Sequence, residues 1–117
     1  MRILIVEDSH DMALLIKHHT VAFFGDSSIV DEARDGAEGL QMALGGEYDM
    51  IITGYMMPNL NGEQLAVTLR DRGYDTPIIL VCTELGMVID PLNFDDLLPN
   101  TDLSKLHDVF SAIMGDL

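Results

Sequence analysis

The stretch from Asp49 to Gly62 reads Asp-Met-Ile-Ile-Thr-Gly-Tyr-Met-Met-Pro-Asn-Leu-Asn-Gly, and it is where an apolar run meets residues able to do chemistry. Met50 to Thr53 passes into a turn holding Pro58, Asn61 and Gly62, and a helical pattern begins at Glu63. A buried strand therefore delivers its carboxyl end to a loop, which is where open α/β sheets place their sites. Thr53 and Tyr55 bring hydroxyls beside Gly54, but strand alternation sends neighbouring side chains to opposite faces, so packing and surface are their expected roles. Another apolar run, Ile3 to Val6, hands over to Glu7-Asp8-Ser9-His10-Asp11, where His10 is a candidate to approach a cation near the two acids. His18 and His19 are adjacent, hence about 100° apart on a helix and unable to share a metal; like His107 they read as helix surface. Cys82 reads as a small buried strand residue, and the eight Met as core filler. No Gly-rich phosphate cradle and no Ser-His-Asp arrangement is recognisable, so the sequence offers no basis for an enzyme.

Strand and helix patterns alternate along the chain and position these residues. Ile3 to Val6 is a continuous apolar run of the kind buried on both faces of a parallel sheet. Ser9 can cap a helix with Met12, Leu15, Ile16, Ala22 and Phe23 at helical spacing, ending by Gly25. A weaker strand over Ser28 to Ala33 is followed by a helix stopped at Gly45-Gly46, a third strand over Asp49 to Thr53, and a helix carrying Leu65, Ala66 and Leu69 before Gly73. Pro77 to Cys82 is a fourth strand with Pro at its first residue, where the missing N–H is tolerated. Between Glu84 and Phe94, Gly86 and Pro91 interrupt the expected fourth helix and predict one or two turns or an irregular loop. Phe94 to Leu98 is a short fifth strand, and Asp102 can cap a final helix burying Leu103, Leu106, Phe110 and Ile113. Five such units predict a doubly wound parallel sheet.

The whole chain narrows the function classes. Its 117 residues suit one domain over 1–117, and 48% hydrophobic with 22% charged residues is the composition of a folded globule. No apolar run approaches the roughly 18 to 20 residues needed to span a bilayer. Twenty acidic against six basic residues give a charge of -14, which repels nucleic acid and anionic lipid and favours cations or basic patches on partner proteins. A strand-like start at Met1 leaves no room for a signal peptide, and the single Cys82 forms no internal disulfide, so a cytoplasmic setting is expected.

Gly54-Tyr55-Met56-Met57-Pro58-Asn59-Leu60-Asn61-Gly62, with Glu7-Asp8 after the first strand and Ala33-Arg34-Asp35-Gly36-Ala37-Glu38 after the second, resembles the response-regulator receiver domain of two-component signalling. In that family the loop reads Asp-x-x-Met-Pro-x-x-x-Gly, and its Asp accepts a phosphoryl group. Here Gly54 stands at the acceptor position. The resemblance covers essentially the whole chain, with residues 84 to 102 the poor match. It implies a flavodoxin-like (βα)5 sheet in the order 2-1-3-4-5, with a shortened or irregular fourth helix.

Each role carries over separately. The resemblance makes Glu7 and Asp8 the acids that position Mg²⁺, with the backbone carbonyl of Met56 as a further ligand. Gly54 removes both the nucleophile and a third metal ligand, which implies weak affinity for Mg²⁺. Five residues beyond Pro77, the switch hydroxyl becomes Cys82, a poor donor to phosphate, with Thr83 one residue late. The Lys-Pro after strand five becomes Asn100-Thr101, and the switch aromatic becomes Leu97. With nucleophile, hydroxyl, aromatic and cation all altered, the expectation is a pseudo-receiver that is not phosphorylated at the usual site. It would dock a protein such as a histidine kinase or another regulator, as a monomer or weak homodimer. The alternatives are a genuine phospho-acceptor disabled at position 54 or using another residue, and a small-ligand site of the flavin-binding kind, which the Glu7-Asp8 pair disfavours for anionic phosphates.

Overall fold

The computed structural model of the chain describes residues 1–83 and 85–115. Strands β1 (Arg2–Val6), β2 (Ile29–Ala33), β3 (Met50–Thr53), β4 (Ile78–Cys82) and β5 (Asp96–Pro99) form one parallel sheet in the order β2-β1-β3-β4-β5. Helices α1 (His10–Phe24), α2 (Gly36–Gly45), α3 (Gly62–Asp71) and α4 (Leu106–Met114) cover it. The flavodoxin-like order and the doubly wound architecture are both as expected.

Every residue of β3 and β4, and all of β1 but Arg2, is buried, because these strands are covered on both faces. Alternation divides their side chains between two layers. Ile3, Ile5, Met50, Ile52, Ile79 and Val81 pack against α1 and α4. Leu4, Val6, Ile51, Ile78 and Leu80 pack against α2 and α3.

Three helices begin where a short polar side chain can accept a backbone N–H. Ser9 Oγ accepts from Met12 at 3.3 Å, Asp35 Oδ1 from Glu38 at 2.8 Å, and Asn61 exchanges hydrogen bonds with Gln64 in a full capping box. Gly25 closes α1 with φ of 90°, a conformation that Gly adopts without steric cost.

Several expected details are corrected. On α1 the buried face is Ala13, Ile16 and Thr20, while Leu15, Ala22 and Phe23 are exposed. Thr20 tolerates burial because its hydroxyl donates to the Ile16 carbonyl at 2.7 Å. The fifth strand runs Asp96–Pro99 rather than Phe94 to Leu98, and Pro99 stands opposite Cys82 on an edge strand, where a missing N–H is harmless. Asp102 makes no side-chain cap; a single 3₁₀ turn, Leu103–Lys105, precedes α4 instead. The crossover from β4 to β5 holds two isolated 3₁₀ turns, Leu85–Met87 and Pro91–Asn93, in place of a helix. Glu84 lies outside the described residues.

Candidate functional site

Val6 and Thr53 are paired in the sheet, so Glu7 and Gly54 emerge side by side, and Gly54 N donates to the Val6 carbonyl at 2.8 Å. A Cβ on Gly54 would lie 2.7 Å from Glu7 Oε1. The Glu7 carboxylate therefore leans into the volume that a side chain at position 54 would need. Directly behind, the loop folds back on itself: Gly62 N donates to the Tyr55 carbonyl at 2.8 Å, and a Cβ on Gly62 would collide with the Gly54 carbonyl. Thr53 is fully buried with its hydroxyl on that same Gly54 carbonyl at 2.9 Å, consistent with the packing role expected of it.

Glu7 is half-buried, and its Oε2 accepts from Ser9 N at 3.0 Å. Burial pushes its carboxyl from 4.5 up to about 7, the Ser9 N–H opposes this, and the adjoining Asp8 side chain adds to it. Near neutral pH this acid is thus divided between its charged and neutral forms.

A cavity of about 290 Å³ opens at this end of the sheet, with Glu7, Tyr55, Met56, Cys82, Thr83 and Asn100 in its wall. Sequence reasoning placed Glu7, Met56, Cys82 and Asn100 at one site, and the fold brings all four together. Cys82 and Asn100 meet because Asn100 N donates to the Cys82 carbonyl at 3.1 Å across the β4–β5 ladder. Asp8 is exposed and lines an adjoining hollow of about 90 Å³ with His10, Glu32, Arg34 and Glu7, which borders both hollows, and its side chain stays in hydrogen-bond contact with the Glu7 carboxyl. Leu97 packs against the α2–α3 layer and does not line the cavity.

For Mg²⁺, Glu7, Asp8 and the Met56 carbonyl are the oxygens on offer, and position 54 supplies none. Among the described residues no three His, Cys, Asp or Glu side chains converge on a metal position.

Sequence reasoning missed two contacts. Glu63, 6% exposed, accepts the backbone N–H of Ile89 at 3.0 Å and of Asp90 at 2.7 Å, and Tyr55 Oη donates to it at 3.4 Å. Arg70 completes the clamp from the other end of α3, donating to the carbonyls of Asn93, Tyr74 and Thr76 and to Asp95 at 2.8–3.2 Å. Nothing in the sequence marked Glu63 beyond an acid in the first turn of a helix, because its partners lie 26 and 27 residues away. The second contact joins His19 Nδ1 to His107 Nε2 at 3.2 Å, correcting the reading of both as plain helix surface. Burial and then the neighbouring His107 hold His19 below its usual pKa.

Residues 3–91 match the response regulator receiver domain family. The transcriptional regulatory protein DltR of Streptococcus agalactiae is 36% identical over 98 residues, 83% of this chain and 42% of DltR. CusR of Escherichia coli is 38% identical over 89 residues, 75% of this chain and 37% of CusR. The chain thus spans about two-fifths of the length of these curated relatives, 42% and 37%. The receiver domain of the Francisella response regulator 1452 superposes with a TM-score of 0.82 at 26% identity, covering 96% of this chain and 94% of that one. TrrA of Thermotoga maritima, in complex with Mg(2+)-BeF, gives a TM-score of 0.84 over 96% of this chain and 97% of that one; at 24% identity it is a likeness of fold. A match running from the first strand to the segment before β5, on a fold shared almost end to end with solved receivers, makes this chain a member of the response regulator receiver domain family.

Proposed function

We propose that this receiver domain acts in a two-component phosphorelay as an interaction module that is not phosphorylated at the usual site and catalyses no reaction of its own. Its partner is a protein, such as a histidine kinase or another regulator. One observation carries the proposal: position 54, where the family's acceptor carboxylate stands, is Gly54 with no side chain, and the Glu7 carboxylate leans over the gap, its Oε1 2.7 Å from where a Cβ would stand.

Phosphoryl transfer to a carboxylate needs a nucleophile, a divalent cation, a cationic side chain on the phosphoryl oxygens and a hydroxyl that answers its arrival. In this chain those places hold Gly54, the incomplete Glu7-Asp8-Met56 oxygen set, Asn100 and Cys82. An amide brings no charge and a thiol is a weak donor, so neither replaces what is missing. TrrA is described with Mg(2+)-BeF; here, without the third carboxylate, affinity for Mg²⁺ is weak. A charge of -14 supports a protein partner over nucleic acid, and it opposes all but weak self-association. None of the described helices is long and apolar enough to cross a membrane, which is compatible with a cytoplasmic place of action.

The test is a titration with beryllofluoride and Mg²⁺ followed by amide NMR, then incubation with acetyl phosphate and mass spectrometry. We expect no saturable shift at Asp8 or Cys82 and no acyl phosphate. The acceptor reading has one observation in its favour, the Glu7 carboxylate bordering the cavity beside position 54. A glutamyl phosphate mapped to Glu7 would establish that reading and overturn ours.

A further inference from the structure

Between α3 and residues 89–93 of the β4–β5 crossover lies an open groove of about 680 Å³. Leu60 and Val67 form one wall and Ile89 the other, with Asp71 and Asp90 also lining it. Leu92 follows on the same crossover. Ile89 and Leu92 are 89% and 90% exposed, and Val67, on a helix otherwise well buried along its apolar face, is 37% exposed.

Scattered apolar residues at a surface are ordinary, but Val67 and Ile89 line one groove, and Ile89 and Leu92, three residues apart, stand on a segment tied down by α3. Glu63 grips the backbone of residues 89 and 90, and Arg70 grips residues 93 and 95. The two large aliphatics are therefore presented on a fixed frame, which lowers the ordering cost a partner must meet.

The electrostatics select the occupant. None of the described residues lining the groove is basic. Glu63 already has its oxygens on backbone donors, leaving Asp71 and Asp90 as the acids at its margin. A second copy of this chain would add another charge of -14 to the first. We infer that the groove between α3 and residues 87–93 receives an amphipathic segment of a partner protein, its apolar face between Val67 and Ile89 and its Lys or Arg side chains toward Asp71 and Asp90. This is helix-in-groove recognition, and it rests on the interaction-module reading while adding the surface and the chemistry of the partner.

The probes are two synthetic amphipathic peptides of about 18 residues, one of leucine and lysine and one of leucine and glutamate, long enough to form a helix. Each is titrated into the full chain and followed by amide NMR. The leucine–lysine peptide is expected to shift Val67, Ile89 and Leu92 saturably, and the leucine–glutamate peptide to leave them unmoved. Ile89→Ser combined with Leu92→Ser should weaken binding about tenfold or more, and Asp71→Lys about threefold, with melting temperatures unchanged because all three side chains are exposed. Binding that maps to another face, or survives the Ile89→Ser/Leu92→Ser change, overturns the groove and leaves the interaction-module reading standing. Sedimentation showing self-association that the same double variant abolishes assigns the patch to a second copy and equally overturns it. The beryllofluoride titration decides the broader reading separately.

Discussion

Glu63 is buried with both carboxylate oxygens on the backbone N–H groups of Ile89 and Asp90, whereas Glu7 is half-buried with Ser9 N as its backbone donor and a carboxyl pushed up to about 7. The two acids follow neighbouring strands, Glu7 directly after β1 and Glu63 in the first turn of α3 after β3, and they differ in how their desolvation is met. A carboxylate taken from water is tolerated when donors surround it, and it favours its neutral form when they do not. Donor supply thus separates an acid that builds the fold from one that borders the cavity beside Gly54. In the first, the carboxylate ties down a crossover whose described residues hold two 3₁₀ turns and no α-helix: Glu63 accepts from, and Arg70 donates to, backbone groups that an α-helix would have paired internally.

The largest expected effect falls on the satisfied acid. Glu63→Ala strips two backbone donors of their acceptor and should cost about 3 kcal/mol in urea unfolding, with faster amide exchange at Ile89 and Asp90. A loss near zero would remove the distinction between the two glutamates. Next comes Gly54→Asp, which forces Glu7 aside and sets carboxylates together. We expect a loss of about 2 kcal/mol in EDTA, relieved by Mg²⁺, in this variant and not in the parent chain. Equal melting in EDTA and Mg²⁺ would show that Glu7 retreats freely.

The smallest effect concerns Glu7 itself. Its pKa in the fold, about 7, lies above its ordinary 4.5, so the folded chain holds this proton longer than the unfolded chain. The contribution of Glu7 to stability is therefore full below 4.5 and lost as pH rises toward 7. Glu7→Gln removes that penalty and should stabilise the chain by about 1 kcal/mol at high pH, after allowing for solvent screening, with no such gain in acid. Parallel pH profiles for parent and variant would sink the assignment.

Much of this architecture could be read from residue types alone. Continuous apolar runs such as Met50–Thr53 and Ile78–Val81 declare strands covered on both faces, and Ser9 with Gly25 brackets α1 because both act within one turn of chain. Which stripe of α1 turns inward was not legible, since Leu14-Leu15 and Ala13-Ile16 give two adjacent apolar faces and the sheet chooses between them. The site divides in the same way. Cys82 and Asn100 were placed by the resemblance, which counts residues from a nearby proline and from the end of a strand, while the lean of Glu7 over Gly54 and the His19–His107 contact, 88 residues apart, depend on how separate elements settle.

Pro99 has a consequence beyond the site. It occupies the outermost strand and offers no amide hydrogen to an incoming chain, while the opposite border of the sheet, β2, carries Asp31 and Glu32. Neither border is a good template for a further strand, so a sheet that would otherwise invite fibril-like stacking ends at five.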